Sequence, residues 1–256
     1  MNVNSNGYTF AFASGMVILV AAILSVAATS LKSKQDANVV LEKKQSILSS
    51  IGVAVEREAA GEAYKMHIVE ELVLQNGQVL ASAGVTAFDL DLAEELKKSA
   101  SERLYPLFKA DVDGKSFYIV PMRGKGLWGP IWGYMALGPD GNTIYGATFD
   151  HKSETPGLGA EISTSMWQAQ FPEKKVYNGD VVALTVQKPG KSSGEYVVDG
   201  ISGGTITSNG VDAMLKDCLS AYRAYFTTAA AAPQTAPAVD SVRTVVDSAT
   251  VAAIQY

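Results

Sequence analysis

The sequence predicts an α+β protein: a single N-terminal transmembrane helix followed by one hairpin-rich α+β domain. Three observations point there. An uncharged apolar run fills residues 8–29, short alternating runs punctuated by Asn-Gly and Asp-Gly follow it, and an amphipathic stretch closes the domain at 209–226. A chain of 256 residues is long enough to bury a proper core behind such an anchor.

No charged side chain precedes Lys32, and Tyr8 to Thr29 matches the ~20 residues a helix needs to cross bilayer hydrocarbon. Ser25-Val26-Ala27 could be read as a signal-peptide cleavage site. The run is long for a signal, however, and no Lys or Arg stands before it. Residues 8–30 are therefore expected to be a retained span. Lys32, Lys34, Lys43 and Lys44 all follow it, so the positive-inside rule alone would keep the main domain cytoplasmic; the effect is modest, since only two of these lysines lie close to the membrane. Residues 31–50 continue as a helical stalk, with Val39, Val40, Ile47 and Leu48 forming its apolar stripe.

The domain proper spans 51–226. Alternating runs in 66–92 flank Asn76-Gly77, the two-residue hairpin signal. Residues 91–104 read as a short charged helix. Strands follow at 116–122, 127–137 and 143–149, with Asp140-Gly141-Asn142 turning between the last two. A helix over 163–171 carries Trp167, and 181–187 is another strand. Val211, Met214, Leu215, Cys218, Leu219, Tyr222 and Phe226 then recur at helical spacing. Ala, Thr, Pro and Val dominate 227–256, a tail expected to be poorly ordered.

Composition narrows the function. A net charge of −5, with no block of like charges, argues against nucleic acid as a partner. One cysteine and two histidines are too few soft ligands for an iron–sulfur cluster or a structural zinc. Cys218, among apolar neighbours, is expected in the core.

Glycine concentrates in three segments, 124–133, 154–159 and 199–210. The first lacks the Lys-Ser/Thr pair and the following helix that a nucleotide loop requires, and no Gly-x-Ser-x-Gly elbow occurs. The third places Thr205 just ahead of the helical pattern. There the unpaired backbone N–H groups and the positive end of the helix dipole suit a phosphate. Thr207 is the other hydroxyl in reach, and Ser208 or Asn209 is the expected helix cap.

Trp128 in Gly-x-Gly-Leu-Trp, Glu-Thr-Pro-Gly-Leu-Gly from Glu154, and Asp-x-x-Ser-Gly-x-Thr-x-Thr from Asp199 follow one another in one anchored chain. Together they resemble the covalent FMN-binding domain family, from the membrane helix to about residue 226. The resemblance implies FMN joined through a phosphodiester to Thr205, which closes the motif of Asp199, Ser202 and Gly203. Gly204 stands where the family usually has alanine. It further implies that Glu154, Thr155, Gly157, Leu158 and Gly159 lie against the isoalloxazine ring, with Leu158 and Trp128 as apolar covers. His151, close by in sequence, is a weaker candidate.

By the same resemblance the chain would be an electron carrier in a sodium-pumping NADH:quinone oxidoreductase of the inner membrane, its domain periplasmic. Electrons would arrive from cytoplasmic flavin and iron–sulfur centres through membrane partners, and leave to a second covalent FMN and then quinone. The chain itself would hold no NADH, quinone or metal site, and a separate flavin transferase would attach the FMN. The sister FMN subunit of an Rnf-type ferredoxin:NAD reductase is the alternative reading. A cofactor-free anchored binding module is the second.

Overall fold

A computed structural model describes residues 5–82, 84–190 and 193–231. One helix, α1 (Asn6–Ser50), runs without a break through both the expected span and the expected stalk. Ser5 caps it, accepting a hydrogen bond from the Tyr8 N–H, and Ile51 and Gly52 close it by donating to the Leu48 and Ser49 carbonyls. Among the described residues this is the one helix long and apolar enough to cross a membrane; its apolar window has a mean hydropathy of 2.4 and is wholly unburied.

A 3₁₀ turn (Arg57–Ala59) and α2 (Ala60–His67) lead into β1 (Ile68–Gln75) and β2 (Gln78–Val79). Asn76 (φ 52°) and Gly77 (φ 77°) both lie in the left-handed region, as the expected two-residue turn demands. The helix expected at 91–104 shrinks to α3 (Leu92–Glu95), capped by Asp91, whose side chain accepts from the Ala93 N–H. Past it, the Arg103 guanidinium and the Glu95 carboxylate take up backbone groups of 96–104, so the chain turns instead of winding on.

Strands β3 (Tyr105–Val112), β4 (Lys115–Lys125), β5 (Pro130–Leu137) and β6 (Ile144–His151) complete an antiparallel six-stranded sheet, ordered β2-β1-β3-β4-β5-β6. The strand expected at 127–137 starts only at Pro130, so Trp128 lies in the β4–β5 turn. After a 3₁₀ turn (Gly159–Ser163) comes α4 (Ser165–Gln168), then β7 (Tyr177–Asn178), β8 (Val181–Val182), β9 (Thr185–Gln187), β10 (Val197–Asp199) and α5 (Thr205–Ala231). The strand expected at 181–187 divides because Ala183 and Leu184 both donate to the Val176 carbonyl and bend the chain away. Helix α5 continues past Phe226 to Ala231; the rest of the predicted tail lies outside the described residues.

The two faces of the sheet are covered by different helices. The end of α1 packs on one: Ile47 and Leu48 are fully buried, Thr148 Oγ1 donates to the Ser46 carbonyl, and Tyr64 of α2 meets Phe108 edge-on. Helix α5 covers the other. Tyr222 Oη donates to the Pro106 carbonyl at 2.8 Å, Tyr118 meets Tyr225 and Phe226, and Cys218 is buried as expected, its thiol pushed up to about 11 by burial.

Asp212 joins α5 to the parallel β9–β10 pair, accepting from Thr185 Oγ1 (2.7 Å), the Val186 N–H (2.9 Å) and Lys216 Nζ (2.6 Å). Burial alone would raise its carboxyl pKa, but these hydrogen bonds outweigh burial and hold it below the usual range. A depressed native pKa stabilises the fold above the unfolded value and ceases to do so as pH falls through the native one. Asp212→Asn is therefore expected to melt below the parent at pH 7, with the gap closing as pH drops below about 4, read by thermal denaturation across pH.

Candidate functional site

All three glycine-rich segments meet where α5 begins. The chain enters through β10, whose last residue, Asp199, is held by its backbone: its N–H donates to Gln170 Oε1 (3.0 Å), and its carbonyl accepts from Trp167 Nε1 (2.8 Å) and Gln170 Nε2 (3.3 Å). The sequence does not tie Trp167 or Gln170 to the motif, because each reaches it across about thirty residues of chain.

A tight turn follows. Gly203, at φ 77°, takes a conformation L side chains rarely adopt, and a Cβ there would also sit 2.7 Å from Leu158 Cδ2. The Gly204 N–H donates to the Ile201 carbonyl, and α5 starts at Thr205. The helix thus begins three residues before the expected cap. Ser208 lies inside it, where its Oγ accepts from the Ile201 N–H and donates to the Gly204 carbonyl, bracing the turn from within.

The two threonines are placed differently. Thr205 is exposed at the first helical position, on a helix of 27 residues. Thr207 is 2% exposed, and its Oγ1 donates to Glu154 Oε2 at 2.7 Å. The N–H groups of the first helical turn have no partner within the helix, so Thr205 presents its hydroxyl where an anion is best received.

The second segment lies across this turn. Glu154 is 5% exposed, with Thr207 on one carboxylate oxygen and the Trp128 N–H on the other (2.8 Å). Glu154, expected against the ring, thus has each carboxylate oxygen engaged by a protein donor. Its N–H donates to Nδ1 of His151 at 3.2 Å, which commits that ring nitrogen to the loop backbone. Thr155, Gly157 and Leu158 are exposed; the Gly157 N–H is taken by Glu161, and Gly159 is buried beneath Glu154 and Thr207.

The first segment supplies Trp128, 64% exposed, beside the exposed Leu127. Leu158 and Ile206 are exposed as well, so large apolar side chains from all three segments stand free. Single exposed hydrophobes need no explanation, but a cluster around a phosphate-ready helix start does. The residue types are those FMN calls for: a hydroxyl at a helix terminus for its phosphate, and exposed apolar side chains at Leu158, Trp128 and Ile206 for its flat body. A cavity of about 730 Å³ lies elsewhere, on the α1 face among Arg123, Trp132 and Tyr134; His151 stands at its margin, and none of residues 124–128, 154–159 or 199–207 lines it.

Comparison with known proteins agrees. Residues 126–220 match the model of the FMN-binding domain. The C subunit of the Na(+)-translocating NADH-quinone reductase of Vibrio alginolyticus is 34% identical over 215 residues, covering 77% of this chain and 84% of that protein. The chain belongs to the NqrC family, the C subunits of Na(+)-translocating NADH-quinone reductases. The crystal structure of the corresponding subunit from Parabacteroides distasonis superposes with a TM-score of 0.70 at 44% identity, over 77% of this chain and 97% of that one. The Shewanella oneidensis NqrC structure does so with 0.63 at 26%, over 75% and 97%. These relatives favour the sodium-pump reading over the Rnf-type one. The matched FMN-binding domain contains all three glycine-rich segments but for Gly124 and Lys125.

Proposed function

We propose that this chain is the FMN-carrying electron-transfer subunit of a sodium-translocating NADH:quinone reductase, anchored by α1, with FMN esterified through its phosphate to Thr205 Oγ1. The observation that carries the attachment is the contrast between the two hydroxyls: Thr205 is exposed at the helix start, whereas Thr207 is buried and bonded to Glu154. FMN, when attached, supplies the reversible uptake and release of electrons. The protein's part is to hold it. The first turn of α5 receives the phosphate charge, the left-handed Gly203 brings the backbone round to it, and Ser208 keeps that turn closed. Leu158, Trp128 and Ile206 cover the ring's apolar surface, with Thr155 at its polar edge. Asp199 and Ser202 shape the approach for a separate flavin transferase.

We place the domain on the periplasmic side of the inner membrane, a reading that the charge pattern opposes only weakly. Lys43 and Lys44 lie over the rings of Phe88 and Tyr64, so they belong to the fold of the domain. That leaves Lys32 and Lys34 as the lysines next to the span, a weak bias. The partners are the other membrane and soluble subunits of the reductase.

The test is a mass spectrum of the peptide spanning 192–216 from natively matured protein. Riboflavin-phosphate mass on Thr205 is expected. An unmodified peptide, or modification of another residue, overturns the assignment.

A further inference from the structure

Glu154 is the one buried carboxylate where all three glycine-rich segments touch. We infer that it is a positioning residue: its side chain fastens the Trp128 loop to the first turn of α5 and so sets how the ring carried on Thr205 is held. This rests on the attachment proposed above.

Each carboxylate oxygen holds a different segment, the Trp128 N–H at 2.8 Å and the Thr207 hydroxyl at 2.7 Å. Two glycines make room for it. A Cβ on Gly126 would stand 2.5 Å from Oε1, and one on Gly159 would collide with Oε2 and with Thr207 Oγ1. These glycines therefore serve the fastener as well as the turns. The Trp128 loop is pinned further, with Ser153 Oγ donating to the Trp128 carbonyl (3.2 Å) and the Gly126 N–H to the Gly129 carbonyl (2.8 Å). Trp128, 64% exposed, is thus presented by a backbone tied at three hydrogen bonds, an ordering that costs conformational entropy. On the other side, Thr207 is two residues from Thr205 in the same turn, so the carboxylate also fixes the base from which the phosphoester projects.

The chemistry separates fastening from charge. A glutamine at 154 can accept from the Trp128 N–H through its carbonyl and donate to Thr207 Oγ1 through its amide, keeping both links without the charge. An alanine keeps neither.

The experiment compares Glu154→Ala, Glu154→Gln and Thr207→Val in the matured full chain by visible-range circular dichroism of the bound flavin, with hydrogen exchange of the Trp128 amide followed in protein made without the transferase. Glu154→Ala is expected to lose most of the flavin dichroism and to speed Trp128 exchange at least tenfold, while Glu154→Gln restores both. Thr207→Val, which keeps the shape and loses one link, is expected to fall between and decides the matter if the alanine variant does not fold. Unchanged dichroism and exchange in Glu154→Ala or Thr207→Val overturn the inference, and so does a glutamine variant as impaired as the alanine. Parent protein lacking covalent flavin would instead defeat the Thr205 assignment, and the exchange data would still judge the fastener.

Discussion

Thr205→Ala is expected to leave the chain with no flavin fluorescence in a denaturing gel, even when it is made alongside the transferase, whereas Thr207→Ala keeps the fluorescent band. The reason is access. A covalent link needs a hydroxyl that both a phosphate and a modifying enzyme can reach, and Thr205 is exposed at the start of α5. Thr207 faces inward and donates to a buried carboxylate. Removing its hydroxyl is a stability defect: a buried hydrogen bond to a charged group contributes about 2 kcal/mol, so Thr207→Ala should melt lower and Thr207→Ser close to the parent. A band lost in Thr207→Ala and kept in Thr205→Ala would reverse the assignment.

The largest stability effect is expected at Gly210. Glycine inside a helix ordinarily costs about 1 kcal/mol relative to alanine, so Gly→Ala at an open helical site is a stabilising change. Gly61 of α2 is such a site, with nothing within 4 Å of an added Cβ. At Gly210 the sign reverses. A Cβ there would fall far inside contact distance of the Lys125 carbonyl oxygen, and backbone cannot swing aside as a side chain would. Gly210→Ala should therefore cost about 3 kcal/mol and lower Tm by roughly 6–12 °C, by forcing α5 off the end of β4. Because that contact sits between the Trp128 loop and the attachment turn, the variant should also be poorly flavinylated. Thermal melts of Gly210→Ala beside Gly61→Ala check this: a Gly210→Ala protein as stable as the parent would mean the helix can move without consequence.

Much of the fold was legible because it is written locally. The Asn76-Gly77 hairpin, the apolar span and the 3.6-residue stripe of α5 each depend on neighbours within a few residues, and each formed where expected. Strand β3 was hidden although Asp113 (φ 53°) and Gly114 (φ 76°) form the same kind of turn as Asn76-Gly77, because the charged run before it reads as a longer helix. The true helix there stops at Glu95, since Glu95 and Arg103 hydrogen-bond the following backbone. Helix α5 begins at Thr205, ahead of the expected Ser or Asn cap, since Ser208 bonds back to the turn through contacts the spacing does not encode.

The order of residues along the chain was enough to determine the apolar N-terminal helix, the α+β class and the three motifs, since periodicity, turn chemistry and motif spacing are properties of adjacent residues. Only the tertiary structure decided which threonine is free and which is spent, that Glu154 holds residues 26 and 53 positions away, and that Gly210 lies against Lys125. Those facts arise from how β4, the 154–159 loop and α5 are brought together by the sheet, and burial and hydrogen-bond partners exist only once distant segments have met.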